Sequence, residues 1–408
     1  MTTVPNGARV LFYCHDTMGL GHLRRVRTIA HALVEDHKDV SVLILSGSPI
    51  IGSFDFRARV DFVRVPGIIK LRNGEYTSLN LHIDTDETLA MRASIIRHTA
   101  DIFNPDLFIV DKEPLGLRGE VKSTLLMLKR RGTPLVLGLR DVMDEPELLA
   151  PEWERKNALP ALRDLYDAIW VYGLPQLWDP LQGIELPKSV KRKLTYTGYL
   201  QRSLPHTPVP RNPDLDYWNE PYVLVTPGGG GDGEEMVDWV LRAYEDDPRM
   251  PYPALIVLGP FMPSENQSEF MLRAQRLGNV RMTTFDARLE ALLANAVGVV
   301  AMGGYNTFCE ILSFDKRAVI VPRTVPRLEQ YIRASRAQEL GLVRMLENDG
   351  VRDARVMATA IRQLPQQSAP SAVVVPGLLD GLGNVNRLVS QMLSRRRVAA
   401  PRLAARGA

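Results

Sequence analysis

Residues 9–35 read RVLFYC HDTMGLG HLRRVRTIAHALVE: an apolar run, a glycine turn, then a helical pattern. Arg9–Cys14 lacks polar alternation, as a strand buried on both faces requires. His22–Glu35 repeats apolar residues at helical spacing. The same unit recurs outward. Val40–Ser46, Val60–Val65, Leu107–Asp111, Pro134–Leu139, Ala168–Tyr172 and Lys193–Thr197 read as further strands, with Asp86–Phe103 and Glu120–Arg131 as helices between them. Alternating strands and helices predict a parallel sheet covered on both faces. Pro205, Pro208, Pro210, Pro213 and Pro221 then interrupt the pattern, because proline resists both helix and central strand. Beyond them, Tyr222–Thr226, Ala254–Leu258, Val280–Thr283, Val297–Ala301, Ala318–Val321 and Leu342–Met345 restart it. The intervening helices read Gly233–Glu245, Gln267–Leu277, Arg288–Ala294, Asn306–Ser313, Leu328–Leu340 and Val351–Leu364.

The expectation is an α/β chain of two doubly wound domains, 1–203 and 222–394, joined by a proline-rich linker at 204–221. Residues 395–408 are rich in Arg and Ala and are expected to form a frayed tail. In such sheets ligands bind beyond the carboxyl ends of the strands, so two domains are expected to face an interdomain cleft.

The 408 residues carry 50 Lys+Arg and 47 Asp+Glu, a net charge of +3. That balance excludes a polyelectrolyte, and no basic stripe with interleaved aromatics suggests nucleic acid. Cys14 and Cys309 are too few for a disulfide framework and read as reduced core residues of a cytoplasmic protein. Met1–Gly7 shows no secretory signal, and no apolar run reaches the ~18–20 residues of a membrane span. Ala291–Met302 reads as helix end, turn and strand. Peripheral membrane contact stays open.

The strand-end loops carry the chemistry. After the first strand come His15, Asp16, Gly19, Gly21, His22 and Arg24. Gly19 and Gly21 fit G-x-G, but Arg24 replaces the third glycine, so no dinucleotide fingerprint forms, and the P-loop spacing is absent too. What remains is a glycine turn presenting His22 in the first helical turn. A helix N-terminus disfavours a cationic imidazole, and a neutral imidazole is what a general base must be. Asp16 is the candidate partner that tunes it. Asp111, Lys112 and Glu113 follow the fourth strand; Arg140 and Asp141 follow the fifth. They read as acceptor-side groups, with Gly19, Gly21 and Arg24. Asp84 and Asp86 imitate a metal-binding D-x-D, but Asp84 with Glu87 reads as a helix cap instead. No other cluster has metal-ligand spacing, so the expectation is no metal and no cofactor.

In the second domain, Gly228, Gly229, Gly230, Gly231 and Gly233 lie between strand and helix, where backbone amides can approach an anion. Gly303 and Gly304 repeat the arrangement. Asn306, Thr307 and Glu310 follow on one helix, with Glu310 one turn past Asn306 and suited to a ribose. After the next strand, Arg323 and Arg327 can pair with phosphate, and Glu329 and Gln330 can hold sugar hydroxyls.

With these residues the second half resembles the donor domain of GT-B glycosyltransferases, most like the relatives of the lipid-linked peptidoglycan N-acetylglucosaminyltransferases. His15–Arg25, Asp111–Gly119, Leu137–Met143 and Met302–Phe314 also resemble a bacterial group of predicted glycosyltransferases, over nearly the whole chain to about Gln391. The resemblance implies a GT-B architecture of two Rossmann-like domains and transfer from a nucleotide-diphosphate sugar, UDP-linked, to an acceptor hydroxyl. It further implies inversion, independence of metal and a bacterial cell-envelope role. The acceptor stays open between glycan, lipid and small molecule. Gly19–Arg25 also resembles the G-x-G-H-x-x-R loop of nucleotide-sugar hydrolases, so hydrolysis or 2-epimerisation is the second reading. A non-catalytic nucleotide-sugar-binding protein is the third.

Overall fold

The structure, a computed structural model, describes residues 7–15, 20–70, 75–204, 220–229, 231–286 and 289–404. It divides into two compact units, Met1–Leu200 with Asp380–Ala408, and Gln201–Leu379.

The first unit runs β1 (Ala8–Cys14), α1 (Gly21–Asp36), β2 (Val40–Ser46), β3 (Val60–Arg64), β4 (Ile68–Lys70), β5 (Tyr76–Ser78), α2 (Thr85–Phe103) and β6 (Leu107–Asp111). It continues with α3 (Lys122–Arg130), β7 (Leu135–Arg140), α4 (Pro146–Arg155), α5 (Ala158–Asp164), β8 (Ala168–Tyr172), α6 (Lys188–Lys191) and β9 (Leu194–Tyr196). The second unit runs β10 (Val223–Thr226), α7 (Glu234–Asp246), β11 (Ala254–Val257), α8 (Ser264–Gln275), β12 (Val280–Thr283), α9 (Leu289–Asn295), β13 (Gly298–Ala301), α10 (Tyr305–Ser313), β14 (Ala318–Ile320), α11 (Glu329–Glu339), β15 (Arg344–Met345) and α12 (Ala354–Gln363). The last helix, α13 (Gly381–Ala404), returns to the first unit.

Each unit holds one parallel sheet. The first is seven-stranded, ordered β3-β2-β1-β6-β7-β8-β9; the second is six-stranded, ordered β12-β11-β10-β13-β14-β15. In β1, Val10 through Cys14 are all buried, and Val10 pairs with Val42 on one side and Leu107 on the other. That is why the strand reads as a continuous apolar run. Helix α1 turns Leu23, Val26, Ile29, Ala30, Leu33 and Val34 to the core at helical spacing. The strand order reverses between β1 and β6, and between β10 and β13. A doubly wound sheet opens its ligand crevice at such a point, so four loops are singled out: those leaving β1, β6, β10 and β13.

The expected strands and helices are present, with ends differing by a few residues. Hairpin β4–β5 and helices α4 to α6 are additions. The domain limits differ. The first unit closes at Leu200, and its final helix comes from beyond the second unit, where the sequence pattern assigned residues up to 394 to the second domain. Val385, Val389 and Leu393 bury one stripe of α13. Asn386 Nδ2 donates to the Ala32 carbonyl of α1 at 3.3 Å, and Asn384 Nδ2 to the Thr197 carbonyl at 2.8 Å. The tail expected to fray from Arg395 continues α13 to Ala404. Arg and Ala are among the strongest helix formers, and here they extend a helix already docked. Most of the expected linker, 205–219, lies outside the described residues.

Gly381 starts α13 against the chain at 198–199. Its N–H donates to the Tyr199 carbonyl at 3.1 Å, and a Cβ there would stand 2.5 Å from that oxygen. Gly383 has nothing within 4 Å of a Cβ. Gly381→Ala is therefore expected to destabilise the first unit by about 1–3 kcal/mol, as overpacking does. Gly383→Ala is expected to be neutral or to stabilise by a few tenths to about 1 kcal/mol. Thermal unfolding of the two variants side by side checks both.

Candidate functional site

In the first unit, His22 is the second residue of α1 and Asp111 the last of β6, on either side of the topological switch. His22 Nδ1 lies 2.5 Å from Asp111 Oδ2. Arg25, three residues along α1 and so on the same face, donates from Nε to Asp111 Oδ1 at 2.8 Å and from Nη2 to Oδ2 at 2.6 Å. Arg25 and Asp111 are buried; the imidazole keeps 14% of its surface exposed.

Burial alone would push the Asp111 carboxyl up. The Arg25 charge and the bond from His22 hold it well below the usual carboxylate range. Burial also pushes His22 down from its ordinary 6.5; Asp111 opposes this, while Arg25 and Lys112 add to it. At neutral pH the pair is thus carboxylate and neutral imidazole. An ionised Asp111 only accepts, so Nδ1 carries the hydrogen and Nε2 holds the lone pair. The 3.1 Å between Arg25 Nη2 and His22 Nδ1 is two donors converging on one carboxylate oxygen.

His15 stands beside this pair, its ring 5.7 Å from that of His22 and nearly perpendicular to it. Burial drives its pKa down to about 3, so it stays neutral. Asp16, the expected partner of His22, lies outside the described residues, as does Gly19. The described carboxylate on His22 is Asp111, 89 residues away in sequence. Gly21 opens α1, and Arg24 is half-buried on its first turn.

The loop after β6 holds Lys112 at φ 68°, its N–H bonded to the Gly138 carbonyl at 2.7 Å. Glu113 is buried and accepts from Lys156 Nζ at 2.9 Å, with Lys112 Nζ 3.8 Å away. Beneath the loop, Tyr13 donates to Glu120 at 2.5 Å, and Arg92 donates to both oxygens of Glu120 at 2.7 Å. Asp141 is fully buried and accepts from the Tyr199 hydroxyl at 2.8 Å; Arg140, beside it, is half-buried. Arg25 was readable from its spacing to His22. Lys156 and the Tyr13–Arg92–Glu120 group left no local signal.

In the second unit, Gly228 and Gly233 take φ values of 104° and 105°. A Cβ on Gly233 would strike Pro227 at 2.3 Å and the Met302 sulfur at 2.8 Å, so this glycine lets the turns after β10 and β13 meet. Gly229 lies between; Gly230 is outside the described residues. Gly303 has φ 77°, and Gly304 caps α10 with open space where a Cβ would stand. Asn306, Thr307 and Glu310 are buried in α10, Glu310 at 0% exposure, and Asn306 Oδ1 accepts from buried Arg202 at 2.7 Å. Glu310 thus lies below the surface that Gly304 presents. Buried Arg333, which the sequence did not flag, donates to the Gly303 carbonyl at 3.0 Å. Arg323 does not stand open to a phosphate: it pairs with Asp232 and donates to Glu329 Oε1 at 2.6 Å. Gln330 Oε1 accepts from the Arg323 N–H at 3.1 Å.

Asp84 caps α2, accepting from Asp86 N–H at 2.7 Å. Among the described residues no three His, Cys, Asp or Glu side chains group as metal ligands, and no helix is long and apolar enough to cross a membrane.

Residues 229–368 match the glycosyltransferase family 28 C-terminal domain. No curated protein matches the chain. Among solved structures, a UDP-glucosyltransferase from Polygonum tinctorium capable of glucosylating indoxyl is similar at 13% identity and TM-score 0.61, over 96% of this chain and 100% of that one. The calicheamicin glycosyltransferase aligns at 14% identity and TM-score 0.60, over 95% and 99%. MurG of Acinetobacter baumannii aligns at 12% and 0.55, again over 95% and 99%. The chain thus has the fold of the GT-B glycosyltransferases, and residues 229–368 match a glycosyltransferase C-terminal domain, that of family 28.

Proposed function

We propose that the chain is a glycosyltransferase that moves a sugar from a UDP-sugar to an acceptor hydroxyl, with His22 as general base. The observation that carries the reading is the His22–Asp111 pair at the switch point of the first sheet: a neutral imidazole with a fixed tautomer and an exposed edge. In the proposed step, the acceptor hydroxyl gives its proton to Nε2 while its oxygen attacks the anomeric carbon. The bond from that carbon to the diphosphate oxygen breaks, and the nucleoside diphosphate leaves with the electron pair. A single displacement inverts the anomeric centre. Asp111 stabilises the imidazolium that forms, as an orienting carboxylate does in other His-based sites.

We assign donor binding to the second unit. Its two glycine turns and the start of α10 offer N–H groups to a diphosphate without a metal. Glu329 and Gln330 are the sugar-side groups. The family 28 domain supports this assignment, and the Polygonum tinctorium neighbour, a UDP-glucosyltransferase, supports uridine. Buried Cys14 and Cys309, neither of them in a disulfide, fit a reducing compartment, the cytoplasm. The hydrolase reading drew on the G-x-G-H-x-x-R pattern. Its arginine, Arg25, is bound to Asp111 here, which accounts for that residue without hydrolysis.

Calorimetry across UDP-, GDP-, TDP- and CMP-sugars tests the donor, with Glu329→Ala as control. Binding of UDP-sugars, weakened in that variant, is the expected result; no binding by any class overturns the assignment. Free sugar released without acceptor would establish hydrolysis instead. His22→Ala is expected to lower the transfer rate ~10²–10⁴-fold, the usual worth of a general base, with donor binding retained.

The pH profile follows from the same pair. His22 must be neutral to act, and its pKa lies below 6.5. Transfer is therefore expected to be flat from neutral pH upward and to fall with unit slope in acid, with an apparent pKa below 6.5. A limb above 6.5 would rule out His22 as the base. Asp111→Asn removes the anion that raises His22, so the limb moves to still lower pH while the rate drops. It also leaves Arg25 buried without its counter-charge, costing about 3–5 kcal/mol of stability, which thermal unfolding reads separately.

A further inference from the structure

Arg323 lies in the segment between β14 and α11, where a cation invites assignment to the leaving diphosphate. Its contacts say otherwise. One guanidinium nitrogen, Nη1, pairs with Asp232, at the end of the glycine turn after β10. The other, Nη2, donates to Glu329 Oε1 at 2.6 Å, and Glu329 is the first residue of α11. The Arg323 N–H holds the side chain of the next residue, Gln330, at 3.1 Å. One residue therefore touches the glycine turn and both sugar-side groups. Two carboxylates already engage both Nη atoms of the guanidinium, so a diphosphate would have to compete with them.

The geometry is that of a clamp. Arginine's rigid fork suits two carboxylates at once, where a lysine offers a single point charge. Glu329 is almost fully buried, and its partnered oxygen is fixed in direction. The glycine turn is held at its other end by close packing: a Cβ on Gly259 would lie 2.3 Å from the Gly228 carbonyl.

Resting on the donor-site reading above, we infer that Arg323 is a positioning residue: it orients Glu329 and Gln330 for the donor's sugar and ties them to the glycine turn, rather than binding the diphosphate itself. The sugar-dependent part of donor affinity should then depend on the clamp, and the nucleotide-dependent part should not.

The test compares UDP with the UDP-sugar that the wild-type protein binds best, by calorimetry, for Arg323→Met, Arg323→Lys and Asp232→Asn. Asp232 is 38% exposed at its side chain, so its substitution keeps the inference testable if Arg323→Met fails to fold. The expected result is UDP affinity within ~3-fold of wild type and UDP-sugar affinity at least ~10-fold weaker, the loss of one charge-assisted contact. Arg323→Lys should fall between wild type and Arg323→Met, since it restores charge but not the fork. Parallel weakening of UDP and UDP-sugar would overturn the inference and make Arg323 a phosphate ligand. Unchanged affinity for both would overturn it as well. Wild-type protein that binds neither UDP nor any UDP-sugar would sink the donor-site reading itself, a failure distinct from the other two.

Discussion

A carboxylate buried at the end of a sheet strand is costly, several kcal/mol before any partner is counted. Asp111 sits there because Arg25 answers it with two hydrogen bonds and a full charge. That pairing constrains everything around it. It ties the first turn of α1 to the end of β6, across the point where the strand order reverses. It also presents one carboxylate oxygen to His22, fixing the ring's tautomer. Arg25 does a second thing: its charge opposes protonation of the neighbouring imidazole, so the anion that orients His22 does not turn it into a cation. A base that is oriented by a carboxylate and still neutral needs both groups. Neither alone gives that combination.

The loop that carries Asp111 is itself held from below by a second buried ion pair. Arg92 donates two bonds to Glu120, and Tyr13, on β1, donates a third. The Tyr13 hydroxyl also accepts from the Leu117 N–H at 3.1 Å. Strand β1 thus supports the loop after β6 directly. Two ion pairs, each buried and fully hydrogen-bonded, flank one short segment. Such pairs add little net stability over apolar packing, but losing one partner is expensive. The segment between them includes Lys112 at a positive φ.

Much of this was legible in the sequence, for a physical reason. Strands buried on both faces appear as unbroken apolar runs, and the loops that leave them stand out as glycine and charge. The glycine turns and His22 were found that way. The partner of His22 was not, because Asp111 is brought to it by strand order rather than by spacing. Arg25 was closer to hand, since i+3 on a helix is the same face. Helix α4 was hidden by Pro146 and Pro151, one at its first position and one inside it. The ownership of α13 could not be read at all: an amphipathic stripe says that a helix docks, not on which unit.

The two units solve one problem in different ways. Each exposes strand-end loops at a reversal of strand order, and each must hold polar groups there without closing them off. The first unit does so with charge, packing Arg25, Asp111, Arg92 and Glu120 behind a single exposed imidazole edge. The second adds the backbone to its charges: beside the Asp232–Arg323–Glu329 cluster, Gly228, Gly233 and Gly303 adopt conformations that side chains resist, and Gly233 lets two turns touch. Main-chain N–H groups carry no proton to lose near neutral pH, so that surface is insensitive to the acidity that governs His22. In the proposed reaction, with the proton moved in one unit and the diphosphate held in the other, the two tasks rest on different kinds of group. Titration of His22 would then leave the main-chain donors of the glycine turns unchanged.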